Sequence, residues 1–184
     1  MANNYVQFSE IVRNLTDEEE AWLRSQLTMV AVHQGAETEL DGYYDEVAKD
    51  AEWVGPRFLH QDEEFDNDVE LQFDYEFSEN SEWKRYLWLY SEDGDPRQSA
   101  RLVRTFLKQF RPNGFWSLTW AEFCDKPRVS EFSGGAIFVT PDAIEFISAY
   151  DFLKERAMAF LTAAIAVQGE AQPSDAAEGG NEPL

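Results

Sequence analysis

Along the chain the apolar positions switch repeatedly between a period of two and a period near 3.6, so strands and helices alternate. Val6, Phe8 and Ile11 mark a strand over Tyr5–Val12 that ends at Asn14-Leu15. Thr16 then reads as a helix N-cap with Glu19 closing a capping box, and Asp17, Glu18 and Glu19 lie where the helix dipole favours carboxylates. Trp22, Leu23, Leu27 and Val30 recur at near-helical spacing, which carries this helix to about Leu27 before Met29–Val32 turns extended.

The strictest alternation is Val69–Phe77, with Val69, Leu71, Phe73, Tyr75 and Phe77 on one face and Glu70, Gln72, Asp74 and Glu76 on the other. After the polar break Ser78–Ser81, the aromatic-rich run Trp83–Tyr90 supplies its partner, and the two predict an antiparallel hairpin. Asp95-Pro96 opens a second helix, as N-cap and first helical residue, and Arg111-Pro112-Asn113-Gly114 stops it. Ala100, Val103, Phe106, Leu107 and Phe110 share its apolar face. Arg97, Arg101, Arg104, Lys108 and Arg111 fall within roughly 80° of arc on the opposite side, a basic stripe.

Phe115–Phe123 and Gly135–Thr140 read as two further strands joined by the loop Cys124–Gly134. Thr140-Pro141 predicts the start of a third helix whose apolar face is Ala143, Phe146, Ile147, Tyr150, Leu153, Ala157, Phe160 and Leu161. Residues 34–68 carry the weakest pattern: breaks at Gly35 and Gly42, an acidic middle, a Gly55-Pro56 turn and a short helix around Tyr44–Trp53. From Gln168 the chain is Gly, Pro, Ala and acid, with too little apolar surface to order itself. The expected class is therefore α+β: a mostly antiparallel sheet of about five strands with helices packed on one face. Residues 1–167 form a single domain in this reading, and 168–184 a disordered acidic tail.

Charge changes this picture more than length does. With 36 acidic and 15 basic residues the net charge is −21, which repels nucleic acid phosphates and anionic lipid surfaces, so no direct nucleic acid and no membrane partner is expected. The acidity is segregated: positions 1–95 hold 25 acidic and 6 basic residues, a net of −19, and the remainder is nearly neutral. Halophilic solvation would spread carboxylates over the whole surface. No apolar run approaches the ~18 residues of a membrane span, no signal segment opens the chain, and the single cysteine, Cys124, suits a reducing compartment; the expected location is the cytoplasm.

Candidate chemistry is sparse. Asp62, Glu63, Glu64, Asp66 and Asp68 offer oxygens to a hard cation, yet the EF-hand glycine and terminal glutamate are missing, and a solvated acidic loop accounts for them. His33, His60 and Cys124 are too few and too scattered for a metal or thiol site, so no catalytic residue, metal or cofactor is assigned. Lys126 and Arg128, followed by Gly134-Gly135, match no phosphate-loop spacing; an ordinary connection outweighs an anion site there. Trp116, Trp120 and Phe123 read as core before they read as a stacking platform.

The expectation that best uses these features is a non-catalytic acidic protein-binding module. Its N-terminal half, through Asp62, Glu63, Glu64, Asp66, Asp68, Glu70, Asp74 and Glu76, engages a basic protein, with mimicry of DNA toward a nucleic-acid-binding protein as the extreme form. Two alternatives stand beside it. One is an enzyme or small-ligand binder with an anion site formed by Arg101, Arg104, Lys108, Lys126 and Arg128; the other is a homo-oligomer in which the basic stripe of one copy meets the acids of another.

Overall fold

The computed structural model describes residues 3–33, 36–40, 52–60, 70–126 and 131–170. The elements are β1 (Asn4–Val12), α1 (Asp17–Leu27), β2 (Met29–His33), β3 (Ala36–Glu39), β4 (Trp53–Pro56), α2 (Arg57–His60), β5 (Asp74–Asn80), β6 (Lys84–Ser91), α3 (Pro96–Phe110), β7 (Trp116–Cys124), β8 (Ser133–Val139), β9 (Ile144–Ser148) and α4 (Ala149–Glu170). The class is α+β, with a six-stranded sheet in the order β5-β6-β1-β7-β8-β9 and a three-stranded sheet in the order β3-β2-β4. Every pairing is antiparallel. The large sheet thus has one strand more than the alternation suggests, and a second sheet joins β2, in the run expected to turn extended, to β3 and β4 within the weakly patterned stretch 34–68. The chain divides into two units, Met1–Ser148 and Ala149–Leu184.

The starts of α1 and α3 form as their capping residues dictate. Glu19 N donates to Thr16 Oγ1 at 3.2 Å and Thr16 N donates to Glu19 Oε2 at 2.8 Å, a reciprocal capping box. On α3, Asp95 Oδ1 accepts from Arg97 N at 2.9 Å, with Pro96 in the first turn. The apolar face of α3 is buried as Ala100, Leu102, Val103, Phe106 and Leu107. It joins Leu23 and Leu27 of α1, Phe58 and Leu59 of α2 and the inner sheet residues Phe8, Leu87, Leu89, Trp116, Leu118, Ile137 and Val139 in one core. Trp116 is buried with its indole N–H satisfied by Ile11 O at 3.1 Å, and Trp120 packs against the same core. Gly135 makes room for that ring: a Cβ there would stand 2.5 Å from Trp120 Cη2. The double glycine is a packing device, and these tryptophans belong to the inner side of the sheet.

Two expectations are corrected. The run from Thr140-Pro141 is a turn and a strand, not a helix. Thr140 N donates to Ala143 O at 2.9 Å and Ala143 N to Thr140 Oγ1 at 3.0 Å, closing a hairpin between β8 and β9. Ala143 therefore belongs to the turn and Phe146 and Ile147 to β9, while the helix begins at Ala149. The clearest alternation also pairs later than its first residue. Ladder bonding starts at Asp74 and runs to Asn80, with the hairpin turn at 81–83, because backbone groups of 70–72 are claimed elsewhere, as shown below. The short helix placed around 44–53 lies outside the described residues save Glu52 and Trp53, the latter in β4. Helix α4 extends through Glu170, so 168–170 are helical; 171–184 lie outside the described residues.

One side chain ties the first unit together. Arg111, at the C-terminus of α3, donates from Nε to Glu19 Oε1 at 2.7 Å and from Nη2 to Glu19 Oε2 at 3.0 Å. The same Nη2 reaches Arg13 O at 3.0 Å and Asn14 O at 3.2 Å, just beyond β1. Burial alone would raise the Glu19 carboxyl, but the hydrogen bonds from Arg111 and Thr16 outweigh it and hold the group below the usual carboxylate range. In the smaller sheet Arg57 has the same job. It binds Glu37 Oε2 at 3.2 Å, Glu39 Oε1 at 2.8 Å and Ser25 O at 2.9 Å, joining β3, α1 and α2.

Arg111→Leu leaves a buried carboxylate without its counter-charge and is expected to destabilise the fold by roughly 2–3 kcal/mol in urea titration, discounted for the partial exposure of the guanidinium. Because the folded-state value of Glu19 is depressed, its contribution is complete above the ordinary carboxylate range and fades as pH falls through the lowered value. Urea midpoints followed from pH ~7 to ~2 therefore decline less steeply in Glu19→Gln than in the parent chain.

Candidate functional site

The large sheet has an inner face on the core and an outer face that alternation places opposite it. Leu87 and Leu89 of β6 point inward, which turns Tyr86, Trp88 and Tyr90 outward. The register sets Asp74 beside Tyr90, Glu76 beside Trp88 and Ser78 beside Tyr86 on β5, and Ser9 beside Tyr90 and Ile11 beside Trp88 on β1. Trp88 and Tyr90 stack at 4.1 Å between centroids with 27° between planes, and Trp88 Nε1 donates to Ser9 Oγ at 2.9 Å. Asp74 and Glu76 are exposed and their aromatic neighbours half-buried. A row of carboxylates thus borders a row of fixed aromatic rings.

A cavity of ≈ 380 Å³ opens at the end of the aromatic row, lined by Ser9, Glu10, Ile11, Arg13, Trp83, Tyr86 and Trp88. Trp83 meets Tyr86 edge-on at 5.4 Å, and the Arg13 guanidinium lies 5.6 Å from the Trp83 ring centroid. Further along the same face, Tyr5 stacks on Phe123 and Phe115 on Phe138, both at 5.3 Å. Phe115 is 67% exposed and Phe138 42% exposed, so the outer face is aromatic across most of the sheet and wet.

The strand that carries the acids is pinned from beneath. Gln98, fully buried on α3, accepts from Gln72 N at 2.9 Å and donates to Glu70 O at 3.2 Å. Asp95 N donates to Gln72 O at 3.1 Å, and a Cβ on Gly94 would stand 1.9 Å from that same oxygen. These bonds take backbone groups that a longer β5 would have offered to β6. Glu70 consequently sits ahead of the strand, exposed, rather than in line with Asp74 and Glu76.

Of the other acids assigned to a partner surface, Asp62, Glu63, Glu64, Asp66 and Asp68 lie outside the described residues. On the cationic side, Arg101 and Arg104 are half-buried on α3, Lys108 is exposed one turn on, and Lys126 is exposed just past β7; Arg128 lies outside the described residues. The stripe is not one uniform face: Arg111 is consumed by Glu19, and Arg97 lies 5.6 Å over the Phe146 ring. Cys124 is buried at the end of β7, and a hydrogen bond to Glu131 pushes its thiol up. Among the described residues no group of three His, Cys, Asp or Glu side chains is placed to hold a metal ion, and no helix is long and apolar enough to cross a membrane.

The aromatic neighbours of Asp74 and Glu76 were not among the expected site residues. The signal was present: Tyr86, Trp88 and Tyr90 alternate with Leu87 and Leu89, so the rings and the leucines must face opposite ways. No family model, no curated protein and no solved structure matches the chain in comparison with known proteins.

Gln98→Leu keeps the volume but strips two backbone partners in a buried place, at an expected cost of about 2–4 kcal/mol. Amide exchange checks the position of the damage: the variant loses protection at Gln72 and along β5 before β7.

Proposed function

We propose that this chain is a non-catalytic protein-binding module whose acidic N-terminal half engages a basic surface on another protein. The observation that carries the reading is the placement of exposed Asp74 and Glu76 beside Tyr90 and Trp88 on the outer face of the large sheet. Interfaces draw specificity and association rate from complementary charge, while buried aromatic anchors supply most of the binding energy. Here both occur side by side, on adjacent strands whose rings are already held in place. Acids two residues apart on one strand repeat at about 6.8 Å, a spacing suited to successive Lys or Arg side chains of a partner that binds nucleic acid. The net −19 of residues 1–95 extends the attraction well beyond the contact itself and hastens encounter with a cationic partner. A cytoplasmic location accords with a lone, buried cysteine.

Capture from native lysate at low salt, followed by stepwise elution with rising salt, tests this. The expected result is one basic protein retained by the parent chain and released at raised ionic strength, but not retained by D74K/E76K. Trp88→Ala is expected to weaken binding of that protein by at least roughly tenfold while preserving its salt dependence. Equal retention by the parent and by the charge-reversed chain would sink the reading.

A further inference from the structure

Strand β5 is an edge of the large sheet, and the ladder shows which of its backbone groups face outward. On β6, Arg85 O accepts from Leu15 N at 2.9 Å, on the side away from β5. Arg85 is therefore the non-hydrogen-bonded partner of Glu79, and the alternation of an antiparallel ladder turns the N–H and C=O groups of Glu79, Phe77 and Tyr75 away from β6. Among the described residues none of these groups is hydrogen-bonded. An open strand edge of this kind is a template for one more strand.

Side chains decide which strand fits. Asp74 and Glu76 project on the outer side of the edge, where a neighbouring strand sets its own side chains about 5 Å away. Tyr75, Phe77 and Glu79 project on the inner side. There Tyr75 is 40% exposed and meets Phe77 edge-on at 6.1 Å. Beside them a cavity of ≈ 430 Å³ opens between β5 and α1, with Phe77 and Glu79 on one wall and Ala21 and Arg24 on the other. An incoming strand thus meets carboxylates on one side, and aromatic rings with a recess on the other. A segment in which Lys or Arg alternates with apolar residues answers both. A second copy of β5 does not, since it brings another row of carboxylates to the first.

We propose that the basic partner adds an extended segment to the free edge of β5, antiparallel to it, with alternating Lys or Arg side chains beside Asp74 and Glu76 and apolar ones beside Tyr75 and the recess at Phe77. This rests on the reading of the acidic outer face given above and names how the partner is held. Backbone hydrogen bonds supply affinity, and the two rows of side chains supply choice. The antiparallel sense is that of every pairing in the sheet.

Titrating the peptide Lys-Val-Lys-Val-Lys-Val-Lys into the full chain at ~0.05 M NaCl, with amide exchange followed residue by residue, tests the proposal. The expected result is saturable binding with new protection at the amides of Tyr75, Phe77 and Glu79. N-methylation of the valines, whose N–H groups face β5 in an antiparallel pair, weakens binding at least roughly tenfold, whereas N-methylation of the lysines does not. Tyr75→Pro removes one outward donor but no ladder bond, keeps both acids, and is expected to weaken binding to the same degree. Binding that D74K/E76K abolishes but that leaves these amides unprotected, or that tolerates methylated valines, overturns the edge pairing and leaves the acidic-face reading standing. A peptide that fails to bind while the basic protein is still captured from lysate does the same. Equal affinity of D74K/E76K for the peptide overturns the charge selection and with it the proposal.

Discussion

The ion pair between Glu19 and Arg111 is the constraint from which the first unit hangs. A single guanidinium reaches the N-terminal turn of α1, the carbonyls just past β1 and the C-terminal end of α3, while lying 5.0 Å over the Phe106 ring. Glu19 does double duty, since the carboxylate that completes the capping box of α1 also receives Arg111. Helix ends and strand ends leave backbone and side-chain groups that must be paired once water is excluded. Here one planar cation with five donors satisfies several of them at once, which Lys in its place would not.

The sheet beside that anchor has two unlike faces. The inner face, built from Leu87, Leu89, Leu118, Ile137 and Val139, meets α3 and is dry. The outer face presents rings that are stacked on one another, tied by a Trp–Ser hydrogen bond, and bordered by acids. Gln98 ties down the segment ahead of the edge strand β5 from the buried side. Rings held in this way keep little rotamer freedom.

Within the strongly acidic N-terminal half, the scarce cations are placed where structure needs them. Arg57 bridges the edge of the small sheet to α1, and its own ionisation is reinforced, chiefly by the hydrogen bond to Glu39. Arg24 pairs with Glu20 one turn back and lies 4.0 Å over the Phe77 ring, and Arg85 binds Asp17 at the first turn of α1. Such internal use of positive charge offsets part of the self-repulsion of this half of the chain.

Local chemistry determined much of this from the sequence alone. The caps at Thr16 and Asp95, the inward face of α3, the hairpin of β5 and β6 and the α+β class follow from periodicity and capping residues, which act over a few positions and need no tertiary partner. The tertiary structure decided what depends on contacts distant in sequence. Arg111 belongs by spacing to a basic stripe, but its partner is 92 residues away. The start of β5 is set by Gln98, 26 residues beyond Gln72, and not by the alternation that begins at Val69. Thr140-Pro141 carries the signature of a helix start, yet the same hydroxyl that would cap a helix closes a hairpin turn once β9 can pair with β8. Asp74 and Glu76 were legible as an exposed acidic row. Their aromatic setting was decided only by register, because which side chains of two strands stand next to each other is a property of the ladder and not of either strand.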